Sequence, residues 1–112
     1  VETVTMDEDN LAAVLGGMHD LATEGAVSAY FKDCIVDAAA KTGTAQTGGK
    51  ENNNGAFVCF APYDDPQIAV AIIIEKGGTG AALASTAVQI LNAYFTSAAA
   101  SSAVTGENAL LR

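Results

Sequence analysis

Two hydrophobic rhythms alternate along this chain. After the acids and Asn10 of "MDEDN" (residues 6–10), the apolar residues Leu11, Val14, Leu15, Met18, Leu21 and Ala22 recur at intervals of three and four. That spacing places side chains on one face of an α-helix. The acids or Asn10 can cap its first turn, and negative charge suits its positive end. Gly25 interrupts the pattern and "VSAYF" supplies a further turn, which predicts a helix over about residues 7–32 with a break near Gly25. Gly16 and Gly17 weaken the helix interior, a cost that fits a close neighbour needing the room.

Beyond Asp33 the rhythm changes. Small and β-branched residues from Cys34 to Ala45 predict a strand, and "TGGKENNNG" (47–55) a polar loop. "AFVCFAP" (56–62) predicts a second strand, "YDDP" a turn and "QIAVAIIIEK" (67–76) a third strand, the last two strands forming an antiparallel hairpin. The third strand is apolar at every position from Ile68 to Ile74, and such strands are usually central and covered on both faces. The chain offers at most two other strands, so this segment reads as part of a larger sheet. A second helix is predicted from Thr79 to about Phe95, with Leu83, Ala87, Ile90, Leu91 and Tyr94 along one face. The last stretch, "TSAAASSAVTGENALLR", has no sustained period and reads as a frayed tail.

Composition narrows the function classes. At 112 residues the chain is one domain or a piece of one, and with 50% apolar residues it has the material for a core. A net charge of -8 with only five basic residues repels phosphate backbones, which argues against a nucleic-acid partner. The longest wholly apolar run, "IAVAIII", has seven residues where spanning a bilayer takes ~20. No signal-peptide pattern is visible after Val1. Cys34 and Cys59 lie 25 apart without CxxC spacing and read as small buried hydrophobes. His19 has no second His or Cys at metal spacing and reads as a structural histidine; no metal or cofactor site is expected. Asp64 and Asp65, before Pro66, are turn formers rather than an acid/base pair.

The candidate chemistry sits in "AAAKTGTAQTGGKENNNG" (38–55), where Lys41 follows a run of small residues. A phosphate-binding P-loop needs glycines before its lysine, and "CIVDAAA" has none. A dinucleotide fingerprint in "IIIEKGGTGAAL" fails because Leu83 occupies the third small position; the glycines there read as a turn capping the last helix. What remains is K-T-G itself, found with S-x-x-K and S-D-N in penicillin-binding proteins and serine β-lactamases. The residues alone also admit an edge lysine that discourages sheet aggregation.

The context of Lys41 resembles the C-terminal half of a penicillin-binding protein transpeptidase domain. The residues that carry the resemblance are Gly17-Met18 on the first helix, "KTGTAQT", Phe60-Ala61-Pro62, and the third strand ending at Glu75 before glycines. It covers residues 11 to about 95. Ala40 stands where the family usually has glycine, Cys59 where glycine is common, and "EGAVSAYF" lacks the threonine often found there. The resemblance implies an α/β (α+β) fold: a helix, a three-stranded antiparallel sheet and a C-terminal helix, part of the serine β-lactamase/penicillin-binding transpeptidase fold. Residues 1–96 would be the C-terminal portion of the domain and 97–112 a flexible tail.

It also implies acyl transfer through a serine acyl-enzyme, with Lys41 catalytic and Thr42, Gly43, Thr44 and Gln46 binding substrate. Implied partners are the peptidoglycan stem peptide, β-lactams and the N-terminal part of the same domain, at the extracytoplasmic face of a bacterial membrane. No serine begins an S-x-x-K: Ser28 meets Phe31, Ser85 meets Val88, Ser97 meets Ala100, and Ser101 and Ser102 fail likewise. The nucleophile is therefore expected upstream of Val1, and this chain alone is expected to be inert. A serine β-lactamase, a β-lactam sensor domain or a non-catalytic α/β binding module are the alternatives. An unpaired edge on the 67–76 strand predicts self-association, most simply a two-fold dimer through that strand or by exchanged helices.

Overall fold

A computed structural model describes residues 1–48 and 53–110, with side chains as far as residue 100. Residues 49–52 of the predicted polar loop lie outside the described residues. In chain order the elements are α1 (Glu8–Thr23), α2 (Ser28–Phe31), β1 (Ala39–Ala45), β2 (Asn54–Ala61), β3 (Ile68–Ile74), a 3-10 turn (Gly80–Leu83) and α3 (Ala84–Leu110). The strands form one sheet in the order β1-β2-β3, antiparallel throughout.

The first helix starts where the acids predict. The Asp7 carboxylate accepts from the Asp9 amide at 3.0 Å and the Asn10 amide at 3.2 Å, satisfying two donors that the first turn leaves free. It stops at Thr23, because the amides of Glu24 and Gly25 both turn back to Asp20 O at 2.8 Å. A Cβ at Gly25 would lie 2.8 Å from Leu21 Cα, so only glycine fits this break. The expected single helix is thus two, α2 being one turn that buries Val27 and Phe31.

The first strand is shorter than expected. Residues 34–38 do not join the ladder, because other groups take their backbone. The Asn92 side chain on α3 accepts from the Ile35 amide and donates to Asp33 O, both at 2.8 Å. The Tyr63 amide donates to Asp37 O at 2.9 Å. At this same end of β2, Pro62 has no N–H to continue pairing, and the Gln67 amide closes the turn onto Ala61 O at 2.9 Å.

The core lies between the sheet and α3. Along β2 alternate residues Phe57, Cys59 and Ala61 are buried, and they meet Leu83, Ala84, Ala87, Val88 and Leu91. The packed stripe of α3 differs from the predicted one: Ile90 and Tyr94 stay 39% and 40% exposed, while Ala84 and Val88 are buried. The helix also runs on to Leu110 instead of ending near Phe95. Its alanine-rich second half lacks an apolar stripe, but alanine has the best intrinsic helix propensity and needs none.

The packing of α1 departs from expectation. On α1 only the C-terminal half engages: Ala22 is buried and Leu15, Met18 and Leu21 half-buried, whereas Leu11 and Val14 are exposed. Nothing lies within 4 Å of where side chains at Gly16 and Gly17 would extend, so no described neighbour uses that room. The all-apolar β3 pairs only with β2 among the described residues, which leaves the unpaired edge expected of a piece of a larger sheet. Ile68, Val70 and Ile72 pack on the core, but Ile73 on the opposite face is 73% exposed.

The Asn92 bridge predicts a local effect. Asn92→Ala should cost roughly 1–3 kcal/mol for two hydrogen bonds and speed exchange of the Ile35 amide selectively. Unchanged exchange at Ile35 would show that Asn92 does not hold the approach to β1.

Candidate active site

Strand β1 places four of the five candidate residues in a row. Ala39 and Ala40 are fully buried, so the strand enters through residues small enough to be covered on both faces. From the next position it is open: Lys41 and Thr44 are exposed, Thr42 and Gly43 half-buried. Pairing is Lys41 with Val58, Thr42 with Phe57, Gly43 with Ala56 and Thr44 with Gly55. Strand alternation therefore puts Lys41 and Gly43 on the face of exposed Val58, and Thr42 and Thr44 on the face of buried Phe57. Gln46 lies just past the strand end and is exposed.

The placement resolves the cost of burying Lys41, since its ammonium stays in solvent. Nζ donates to Thr42 O at 2.7 Å, folding back along the strand. A cleft of about 400 Å³ separates Ala40–Thr42 from Val14, Gly17, Met18 and Leu21 of α1. A shallower one of about 150 Å³ runs over Lys41–Gly43 and Ala56–Val58. Among the described residues β1 pairs only with β2, so its other edge is open to an extended ligand.

The wall of the larger cleft is fastened by a cluster that the sequence does not signal. His19 Nε2 lies 2.8 Å from both carboxylate oxygens of Asp37, and its ring stacks on Tyr63 with centroids 4.2 Å apart. This ties α1 to the segment entering β1 and to the turn after β2. His19 is a structural histidine with a specific partner, and no group of three metal-ligating side chains occurs among the described residues. The sequence also fails to single out Gly80, where a Cβ would lie 2.8 Å from Gly43 N. Its one signal is the glycine density of "KGGTG".

A model of the penicillin binding protein transpeptidase domain matches residues 2–95. The chain belongs to the penicillin-binding protein transpeptidase family. It is 36% identical over 92 residues to the peptidoglycan D,D-transpeptidase MrdA of Escherichia coli strain K12, covering 68% of this chain and 14% of that protein. To the peptidoglycan D,D-transpeptidase PbpA of Mycolicibacterium smegmatis it is 44% identical over 57 residues, 44% of this chain and 12% of PbpA. The crystal structure of Pseudomonas aeruginosa PBP2 in complex with WCK 5153 superposes with a TM-score of 0.70 at 32% identity, over 84% of this chain and 21% of that one. This transpeptidase segment therefore spans about a seventh of the MrdA length. Its three-stranded antiparallel sheet with helices matches part of the fold of the family. Among the described residues no helix is long and apolar enough to cross a membrane.

On the strand beside β1, Cys59 pairs in register with Ala40. Burial pushes its thiol from 9.0 up to about 11, and the nearby Cys34 adds to the effect. Both cysteines are free thiols. A thiol raised in the folded state favours folding while protonated, so this contribution is complete below pH 9 and is lost as pH rises towards 11. At pH 8 a soluble alkylating reagent should label Cys34 in the native protein and reach Cys59 only on unfolding, as peptide mass mapping would report. Equal labelling of both would contradict the packing of β2 on α3.

Proposed function

We propose that this segment is the K-T-G wall of a serine DD-transpeptidase that cross-links peptidoglycan. The observation that carries the proposal is the solvent-open row Lys41–Thr44 on a sheet edge beside a cleft, in a chain of the transpeptidase family. A serine from the rest of the protein attacks the carbonyl carbon of a D-Ala-D-Ala stem peptide. The terminal D-Ala leaves as an amine that takes up a proton, and the ester formed is resolved by an amine of a neighbouring stem. β-Lactams enter by the same attack, and their ring amide opens without a departing fragment.

Each candidate has a role in this reading. Lys41 brings a positive charge, which strengthens a hydrogen bond to ~1.5–3 kcal/mol, and assists proton movement at the serines. The hydroxyls of Thr42 and Thr44 hold the substrate carboxylate. The Thr44 amide is one of two oxyanion donors. Gly43 keeps the strand bare, since a Cβ there would stand over the β1–β2 pair at 3.5 Å from Ala56 Cβ. Gln46 borders the site. Residues 1–96 are the C-terminal portion of the domain in this reading, with 97–112 beyond it, and the whole enzyme works at the extracytoplasmic face of a membrane.

A fluorescent penicillin on the intact protein tests this. Covalent label at one serine is expected, and Lys41→Ala should slow acylation on the scale of ~10²–10³, as when one transition-state donor is lost, with the fold kept. The 112-residue chain alone, which has no S-x-x-K, is the unlabelled blank. No label at any serine of the intact protein would sink the proposal, and near-normal acylation of the lysine variant would return Lys41 to an edge-protecting role.

We also infer that the chain studied by itself self-associates through β3, whose outer edge has no described partner and which leaves Ile73 open. Sedimentation at micromolar concentration should show a dimer. A stable monomer with the β3 edge protected from exchange would refute it.

A further inference from the structure

The connection from β3 to α3 is tied to the back of the site hairpin at four points. The Lys76 amide donates to Asn54 Oδ1 at 3.0 Å, and the Gly78 amide to Asn53 O at 3.2 Å. A Cβ at Gly55 would lie 3.3 Å from the carbonyl carbon and oxygen of Thr79. The fourth point is the closest. A Cβ at Gly80 would lie 2.5 Å from Gly43 O and 2.8 Å from Gly43 N, and would overlap Ala56 O.

Gly43 and Ala56 are direct register partners in the middle of the β1–β2 ladder. The Ala56 side chain, and the direction a side chain at Gly43 would take, both lead to the opposite face, where they would meet at 3.5 Å. The back of this pair is therefore free of side chains, and the Gly80 backbone fills the space. Gly80 is buried and does not need a left-handed φ, unlike Gly78 at φ 85°. Space, not backbone conformation, demands glycine there. Close approach of a second backbone is a recurrent reason for glycine beside a strand.

The residues after Gly80 anchor it. Leu83, Ala84 and Ala87 lie in the core, so the 3-10 turn is held by α3 while its first residue presses on the centre of the site strand. We propose that Gly80 is a positioning residue for acylation, setting the depth at which the Gly43–Thr44 backbone stands. This rests on the reading of β1 as the substrate-binding wall. Gly80 touches no substrate; it acts through Gly43, and hence through the Thr44 amide that follows. A methyl group at Gly80 pushes the Gly43–Ala56 pair towards the site. Misplacement by ~1 Å can cost on the order of 10²-fold in rate.

The test uses the intact protein, with the concentration dependence of acylation by a fluorescent penicillin separating initial binding from the chemical step. Gly80→Ala should lower the chemical rate constant by on the order of 10²-fold and change initial binding much less. Gly77→Ala is the control from the same turn: the three atoms nearest its Cβ would all belong to Ile74, with Ile74 Cβ at 2.8 Å. It should lower the melting temperature while the folded protein acylates at the parent rate. Asn54→Ala removes the Lys76 tie without adding bulk and should slow the same chemical step a few-fold.

Folded Gly80→Ala protein acylating at the parent rate would overturn the proposal, as would equal slowing by Gly77→Ala. If Gly80→Ala does not fold, a parent rate for Asn54→Ala overturns it instead. Lys41→Ala separates the two readings. A slow Lys41→Ala beside a normal Gly80→Ala removes only the role of Gly80, whereas a normal Lys41→Ala removes the site itself.

Discussion

Between Ala40 and Lys41 the site strand passes from full burial to solvent within a single residue. That transition governs the arrangement around it. A strand covered on both faces must carry small side chains if helix and sheet are to close over it, and Ala38, Ala39 and Ala40 are all at most 3% exposed. Beyond them the cover stops, and the strand becomes an edge with one neighbour among the described residues. The buried half gives the open half its rigidity. A strand loose at its root could not hold its backbone groups to the fractions of an ångström that the proposed acyl transfer asks for.

Rigidity has to come from behind as well as from the root. The middle strand supplies most of it: Phe57 and Cys59 lock β2 to α3, and β2 holds β1 through seven residue pairs. The Gly43–Ala56 pair sits outside the apolar core, and no side chain covers its back. Backbone-to-backbone contact with Gly80 does there what side-chain packing does elsewhere, and it requires the absence of a Cβ at Gly80. Gly80 thus supports the backbone of Gly43 from 37 positions away in the chain.

Legibility in the sequence followed the range of the forces involved. The α1 cap, the break at Gly25 and the β2–β3 hairpin were readable because local spacing and turn chemistry determine them. The K-T-G row was readable because its residues are adjacent. The start of β1 was not, because Asn92, 57 positions away from Ile35, takes over the backbone there. The packed stripe of α3 shifted towards Ala84 and Val88 because the sheet selects which face it meets, a choice invisible to helical periodicity alone. β3 was legible as a strand short of cover. Its apolar run marks a strand that wants cover on both faces, and the described residues cover one.

Charge shows why the position of Lys41 matters more than the composition does. The chain carries -8 overall, so at long range it repels a carboxylate substrate. At physiological ionic strength, however, exposed charges are largely screened beyond ~8 Å, and a ligand lying along β1 experiences mainly what is within that distance. There it meets the Lys41 ammonium, the two threonines and the bare backbone at Gly43. The opposite wall of the cleft offers Val14, Gly17, Met18 and Leu21, which add no charge. Within this cleft attraction for an anion therefore comes from Lys41, so that in the proposed reading a carboxylate is held by where it docks rather than drawn to the surface as a whole.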